Sequence, residues 1–166
     1  MSNAFPERVH IDGRDYELTG YPLEGFLKNW PDWPRFPAWP CNAVGYTASW
    51  IVANGHFCLA DLRCPVQAPL VVLFPGVPAP VPASWVDGLL KATRGERRHV
   101  SYPSRLIYED EVYLEVRGGA ILREWRLDLR GVPDQTDDEL RLSLPRFLWP
   151  ARLREAEPDE GAGGAG

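Results

Sequence analysis

His56 and Cys58 stand two residues apart in an alternating segment, so both side chains leave one face of a strand. Together with Cys41 and Cys64 they raise two chemistries: a Cys/His metal site, or a thiol nucleophile with His56 or His99 as its base. Neither has the spacing it needs. Cysteines that bind zinc usually come as Cys-x-x-Cys pairs, whereas Cys58 and Cys64 are six apart. A catalytic thiol needs a base or a helix N-terminus to lower its pKa, and no cysteine here precedes a convincing helix. Cys58 is therefore expected as a small buried apolar group and His56 as a residue beside a turn. No metal and no cofactor is expected.

Glu109-Asp110-Glu111 supplies clustered carboxylates, which can divide acid and base roles when their surroundings differ. Three acids in a row between two strand-like runs read more simply as a solvated turn. An enzyme built from His56, Asp61 and Glu109 on adjacent strands is the alternative, and it requires those side chains to converge in one pocket.

Two surfaces are candidates for binding. Lys91, Arg94, Arg97, Arg98 and Arg105 form a basic stretch opposed only by Glu96. They suit a phosphate or an acidic partner, or else complement the end of a helix. Trp30, Trp33, Phe36 and Trp39 alternate with prolines along a strap over residues 30–40. Rigid aromatics of this kind either form a contact platform or cover an apolar face. Trp33, Trp39, Arg94, Arg97 and Arg98 are the expected binding residues. The chain contains no phosphate-binding Gly-rich loop, no Gly-x-Ser-x-Gly and no His-Glu-x-x-His.

Bulk properties narrow the class. The 166 residues suit one domain, with 45% hydrophobic and 25% charged residues as in ordinary globular chains. A net charge of −5 disfavours nucleic acid as a partner. No run approaches the roughly 20 apolar residues of a membrane span. Three cysteines and no basic-then-apolar leader point to a reducing compartment, so the expected location is the cytoplasm.

The elements that must position these residues are mostly strands. Residues 45–62 read as a central hairpin on Asn54-Gly55, a pair that accepts the positive φ angles of a type I′ turn. Pairing across that turn sets Trp50 opposite Leu59 and Val52 opposite Phe57, on one face with Tyr46 and Ala48. The other face, with Ile51, Cys58 and Leu62, needs a cover, and the strap is available. A shorter hairpin turns on Asp12-Gly13, and another on Gly118-Gly119, where Leu114 is expected opposite Arg123 and Val112 opposite Trp125. Residues 21–27 hold one helical turn. Leu70-Val71-Val72-Leu73-Phe74 reads as a buried strand. Ser84, Trp85, Val86, Leu89 and Leu90 read as a capped helix over 84–92 that Gly95 ends.

Tyr21-Pro22-Leu23-Glu24, then Gly45-Tyr46-Thr47-Ala48-Ser49-Trp50 leading into Phe57-Cys58-Leu59-Ala60-Asp61-Leu62, then Ile107-Tyr108-Glu109 leading into Val112-Tyr113-Leu114-Glu115-Val116, recur here in order. In these segments the chain resembles a family of small bacterial proteins with no known activity. The likeness covers roughly residues 16 to 122. It implies a bacterial domain and carries no catalytic residue over.

The expected fold is mainly β: a single antiparallel sheet domain, curved or an open barrel, with one short helix and proline-rich straps. An α+β sheet is the alternative. Residues 5–150 form the globular domain and 151–166 an acidic, Gly-rich disordered tail. The expected function is non-enzymatic, a protein-binding or accessory module with an unidentified protein partner.

Overall fold

A computed structural model describes residues 6–38, 42–99, 106–131, 136–143, 145–149 and 151–156. Strands β1 (Glu7–Ile11) and β2 (Arg14–Leu18) form the first hairpin. A single helical turn, α1 (Glu24–Leu27), follows. The central hairpin joins β3 (Thr47–Ala53) to β4 (His56–Arg63) through Asn54 and Gly55, whose φ angles are 51° and 74°. Then come α2 (Pro69–Leu73), the two-residue β5 (Val81–Pro82), and three long strands, β6 (Gly88–His99), β7 (Leu106–Arg117) and β8 (Ala120–Asp128). Beyond the sheet lie α3 (Asp137–Ser143), a 3₁₀ turn at Arg146–Leu148 and α4 (Ala151–Ala156).

The strands run in the order β3-β1-β2-β6-β7-β8-β4, and β4 pairs with β3 again, so seven strands close into a barrel. Every pairing is antiparallel except β1 with β3. Closure protects edges that an open sheet would leave as templates for other chains. The seam is the weak join. β8 meets β4 at His56 and Ala120 alone in the ladder, and then departs. β5 takes the vacated edge of β4, pairing at Cys58 and Leu59.

The barrel interior is packed with side chains. Val9, Ile11, Tyr16, Leu18, Ala48, Trp50, Phe57, Leu59, Val112, Leu114 and Val116 are all buried, and they alternate along their strands as one face must. Trp50 stacks on Phe57 with ring centres 4.7 Å apart and planes 12° from parallel. Trp85 stacks on Phe74 at 5.5 Å, Phe26 of α1 packs on both, and the Trp85 indole N–H donates to the Pro22 carbonyl at 3.0 Å. This aromatic plug closes one end of the barrel, and each such ring pair adds about 1 kcal/mol beyond its buried area.

Several local expectations are corrected. Residues 70–74 are helical, not a strand. Pro69 opens α2, and Leu70, Leu73 and Phe74 face the core at helical spacing while Val71 and Val72 are exposed. Residues 84–92 are not a helix. A turn at Ser84 and Trp85 leads into β6, and the apolar residues there alternate between Leu90 inside and Leu89, 62% exposed, outside. The central hairpin has the expected pairing from Ala53–His56 to Trp50–Leu59, but a bulge between Ser49 and Trp50 leaves Ala60 unpaired. That single extra residue turns Leu62 into the core opposite Ala48. A second bulge shifts the β7–β8 register by one, so Leu114 faces Glu124 and Val112 faces Arg126. Residues 151–156, assigned to the tail, form α4, in which Leu153 is buried. Residues 157–166 lie outside the described residues.

Candidate functional site

Polar chemistry gathers in two places, one open and one closed. The open one surrounds a bulge in β6. Arg94 pairs with Asp110 and Arg97 with Tyr108, so Gly95 and Glu96 together oppose Glu109. Gly95 has φ +89°, and a Cβ there would come within 2.7 Å of the Glu109 Cβ. Glycine is what lets the Glu109 side chain lie across β6. Grooves open on either side of this crossing. One, of about 250 Å³, is lined by Arg8, Asp15, Glu17, Thr93, Arg94 and Tyr108 among others. Another, of about 350 Å³, is lined by Arg14, Arg94, Gly95, Glu109, Asp110 and Arg130. A third, of about 370 Å³, runs past Glu96, Arg97, Tyr108 and Arg130.

The charges in these grooves differ in how they are engaged. Asp110 and Asp128 face each other on neighbouring strands, a repulsive pairing that Arg130 relieves by reaching both, at 3.4 Å and 2.9 Å. The Arg130 guanidinium holds the Asp128 carboxyl below its ordinary value. Asp15 is taken by His10 at 2.8 Å. Arg8, Arg14 and Arg94 form no ion pair or hydrogen bond through their side chains among the described residues. Their guanidinium donors are therefore presented to solvent at the groove walls.

The closed site is at the start of β1. Glu7 continues the inward alternation of Val9 and Ile11, which places its carboxyl in the barrel at 2% exposure. The Trp50 indole N–H donates to Oε2 at 2.8 Å, while Oε1, the Tyr46 hydroxyl and Trp33 Nε1 are buried without a hydrogen-bond partner among the described residues. Burial pushes the Glu7 carboxyl up to about 7, opposed by the Trp50 and Ala48 N–H groups and reinforced by the charge of Glu24. Partial burial acts to raise Glu24 as well, but the Arg35 guanidinium, 2.7 Å away, more than offsets it and holds that carboxyl below its ordinary value. Arg35 also covers the Tyr46 ring, 5.4 Å from its centre, and donates to the Val44 carbonyl at 2.9 Å. Burial, then the nearby Glu24 and Glu7, keep the Tyr46 hydroxyl protonated.

The expected site residues scatter across this picture. Arg94 and Arg97 are exposed strand residues at the bulge, not helix-end cations. The backbone of Arg98, in β6, pairs with Ile107 of β7, and its side chain, like Trp39, Cys41 and Arg105, lies outside the described residues. Lys91 belongs elsewhere, 3.5 Å from the fully buried Glu111 and over the Tyr113 ring. Trp33 is 7% exposed and part of the core, so it offers no free surface. The strap's exposed aromatics are Trp30 and Phe36.

Glu109-Asp110-Glu111 is no turn but the middle of β7, where alternation sends the acids to different partners. His56 pairs with Ala120, which pairs with Arg117, and eight residues of β7 separate Arg117 from Glu109, a span of about 26 Å. The structure does not bring His56, Asp61 and Glu109 together. His56 Nδ1 instead donates to the Asn54 carbonyl at 3.0 Å. Cys58 and Cys64 are free thiols, and burial pushes Cys58 up, away from reactivity. Among the described residues no three of His, Cys, Asp and Glu are placed to hold a metal ion, and no helix is long and apolar enough to cross a membrane.

Sequence reasoning missed Glu7, Arg8 and Arg14. Arg8 and Arg14 sit in a plain polar/apolar alternation, and only the β2–β6 pairing at Leu18 and Ala92 brings them beside Arg94. No protein-family model matches this chain, and no curated protein or solved structure matches it either.

Proposed function

We propose that this chain is a non-enzymatic binding module, and that it engages an acidic segment of a partner protein through the arginine-lined grooves around the β6 bulge. One observation carries the reading: Arg8, Arg14 and Arg94 converge on adjoining grooves from three strands, while among the described residues none spends its charge on a neighbouring acid. Unpaired arginines on rigid strands are pre-organised to grip carboxylates in a bidentate manner. Glu109, held across Gly95, and Asp15 and Glu17 give the same surface negative points that reject a uniformly acidic polymer and favour a patterned one. The side chains packed into the interior among the described residues direct the search for a partner to the outer surface. A reducing compartment such as the cytoplasm fits the free thiols of Cys58 and Cys64.

The test is fluorescence anisotropy with a labelled peptide alternating Glu and Ser. Arg14→Ala with Arg94→Ala should weaken binding by about tenfold or more, and raising the salt should weaken it in the parent. Binding that ignores both changes overturns the proposal.

A further inference from the structure

Trp33 anchors the strap in the core, and beyond it residues 34–38 are fastened at few points. Arg35 is tied to Glu24 of α1 and to the Val44 carbonyl, and the Phe36 N–H donates to the Gly45 carbonyl at 2.8 Å. Gly45 has φ +74°, and a Cβ there would stand 2.6 Å from the Phe36 oxygen, so strap and barrel wall touch backbone to backbone. Arg35 covers the buried Tyr46 ring, and Tyr46 in turn feels the charge of Glu7 at the start of β1. Among the described residues the charged or titratable groups that act on Glu7 are Glu24 from α1 and Tyr46 from the segment before β3, with Tyr21 sensing it from the loop before α1 and Arg35 compensating Glu24 from the strap.

We propose that the strap is a proton-operated cover: it is seated while Glu7 is protonated and lifts when Glu7 ionises. An ionised carboxylate needs more donors than the Trp50 indole and the Ala48 amide provide, and its Oε1 has none. Water must come from somewhere. Around Glu7 the wall is held by the β1–β2 and β1–β3 ladders, whereas residues 34–38 have no regular structure and depend on one ion pair and two hydrogen bonds to the 44–45 segment and α1. Lifting residues 34–38 while Trp33 stays anchored is the cheapest way to hydrate the charge, and it uncovers the Tyr46 ring as a new aromatic surface.

The sign is fixed by the direction of the Glu7 shift. The open state, with an ordinary carboxyl near 4.5, loses its proton before the closed state does near 7, so opening grows with pH between those values and levels off above. Hydrogen–deuterium exchange, corrected for intrinsic rates, reads this directly. Between pH 5.5 and 8.5 the Phe36 amide should lose about thirtyfold in protection while staying far less protected than the amides of Val112 and Leu114, which open only with the whole barrel, and Glu7→Gln should abolish the change. Glu7→Met serves if the Gln variant folds poorly, and Arg35→Ala should leave the strap open at both pH values. Equal strap protection at the two pH values, a change that persists without Glu7, or a Phe36 amide as well protected as those of Val112 and Leu114 overturns the proposal.

Discussion

Trp50 donates its indole N–H to Glu7 Oε2 at 2.8 Å, which ties the largest fully buried side chain of the barrel to a carboxyl with a free second oxygen. The tie makes folding stability depend on pH in an unusual direction. Glu7 rises from 4.5 to about 7 on folding, so the folded state holds the proton more tightly than the unfolded chain. Its contribution is complete below pH 4.5 and is lost as pH climbs to about 7. Glu7→Gln should match the parent at pH 4.5 and exceed it by up to about 3 kcal/mol at pH 8 in urea unfolding. Parallel curves for the two proteins would remove Glu7 as the cause.

The close passage of the strap over β3 predicts a severe effect from a small change. Gly45→Ala places a methyl 2.6 Å from the Phe36 oxygen in a backbone conformation that alanine resists. The expected loss is about 2 kcal/mol or more, seen as a lowered melting temperature. Gly55→Ala meets nothing within 4 Å and should cost less, through backbone strain alone. Similar losses at both positions would mean that the strap does not press on Gly45.

The aromatic strap divides into core and surface. Trp33→Ala empties a core position and should destabilise by about 3 kcal/mol or more, while Phe36→Ala, at a residue 47% exposed, should stay within about 1 kcal/mol. Thermal melts of the two variants separate the roles. Equal melts would place Trp33 at the surface.

How much of this was legible in the sequence follows from which interactions are local. The Asn54-Gly55 and Asp12-Gly13 turns dictate their own geometry, so both hairpins and the Trp50–Leu59 pairing were readable. Bulges were not, because an extra residue such as Ala60 has no composition of its own, yet it carried Leu62 into the core. Residues 70–74 and 84–92 were exchanged in kind. A five-residue apolar run fits both periods, and Trp85 and Val86 owe their burial to an aromatic plug and a turn, not to a helix face. Arg94 and Arg97 were expected as binding residues and are exposed on β6, but Arg8 and Arg14 reach the grooves beside Arg94 only through strand order. Glu7 was not singled out by the sequence. Its burial comes from the inward phase of β1, which Val9 and Ile11 set.

The grooves themselves give the most direct measurement. An NMR titration of the isotopically labelled protein with the alternating Glu/Ser peptide reports every backbone amide at once. The amides of Arg14, Arg94, Gly95 and Glu109 should shift together and saturably, the shifts should shrink as salt is added, and Arg14→Ala with Arg94→Ala should erase them. Shifts confined to the strap or to the outer face around Trp125, or undiminished in the double variant, would contradict a binding site at the β6 bulge.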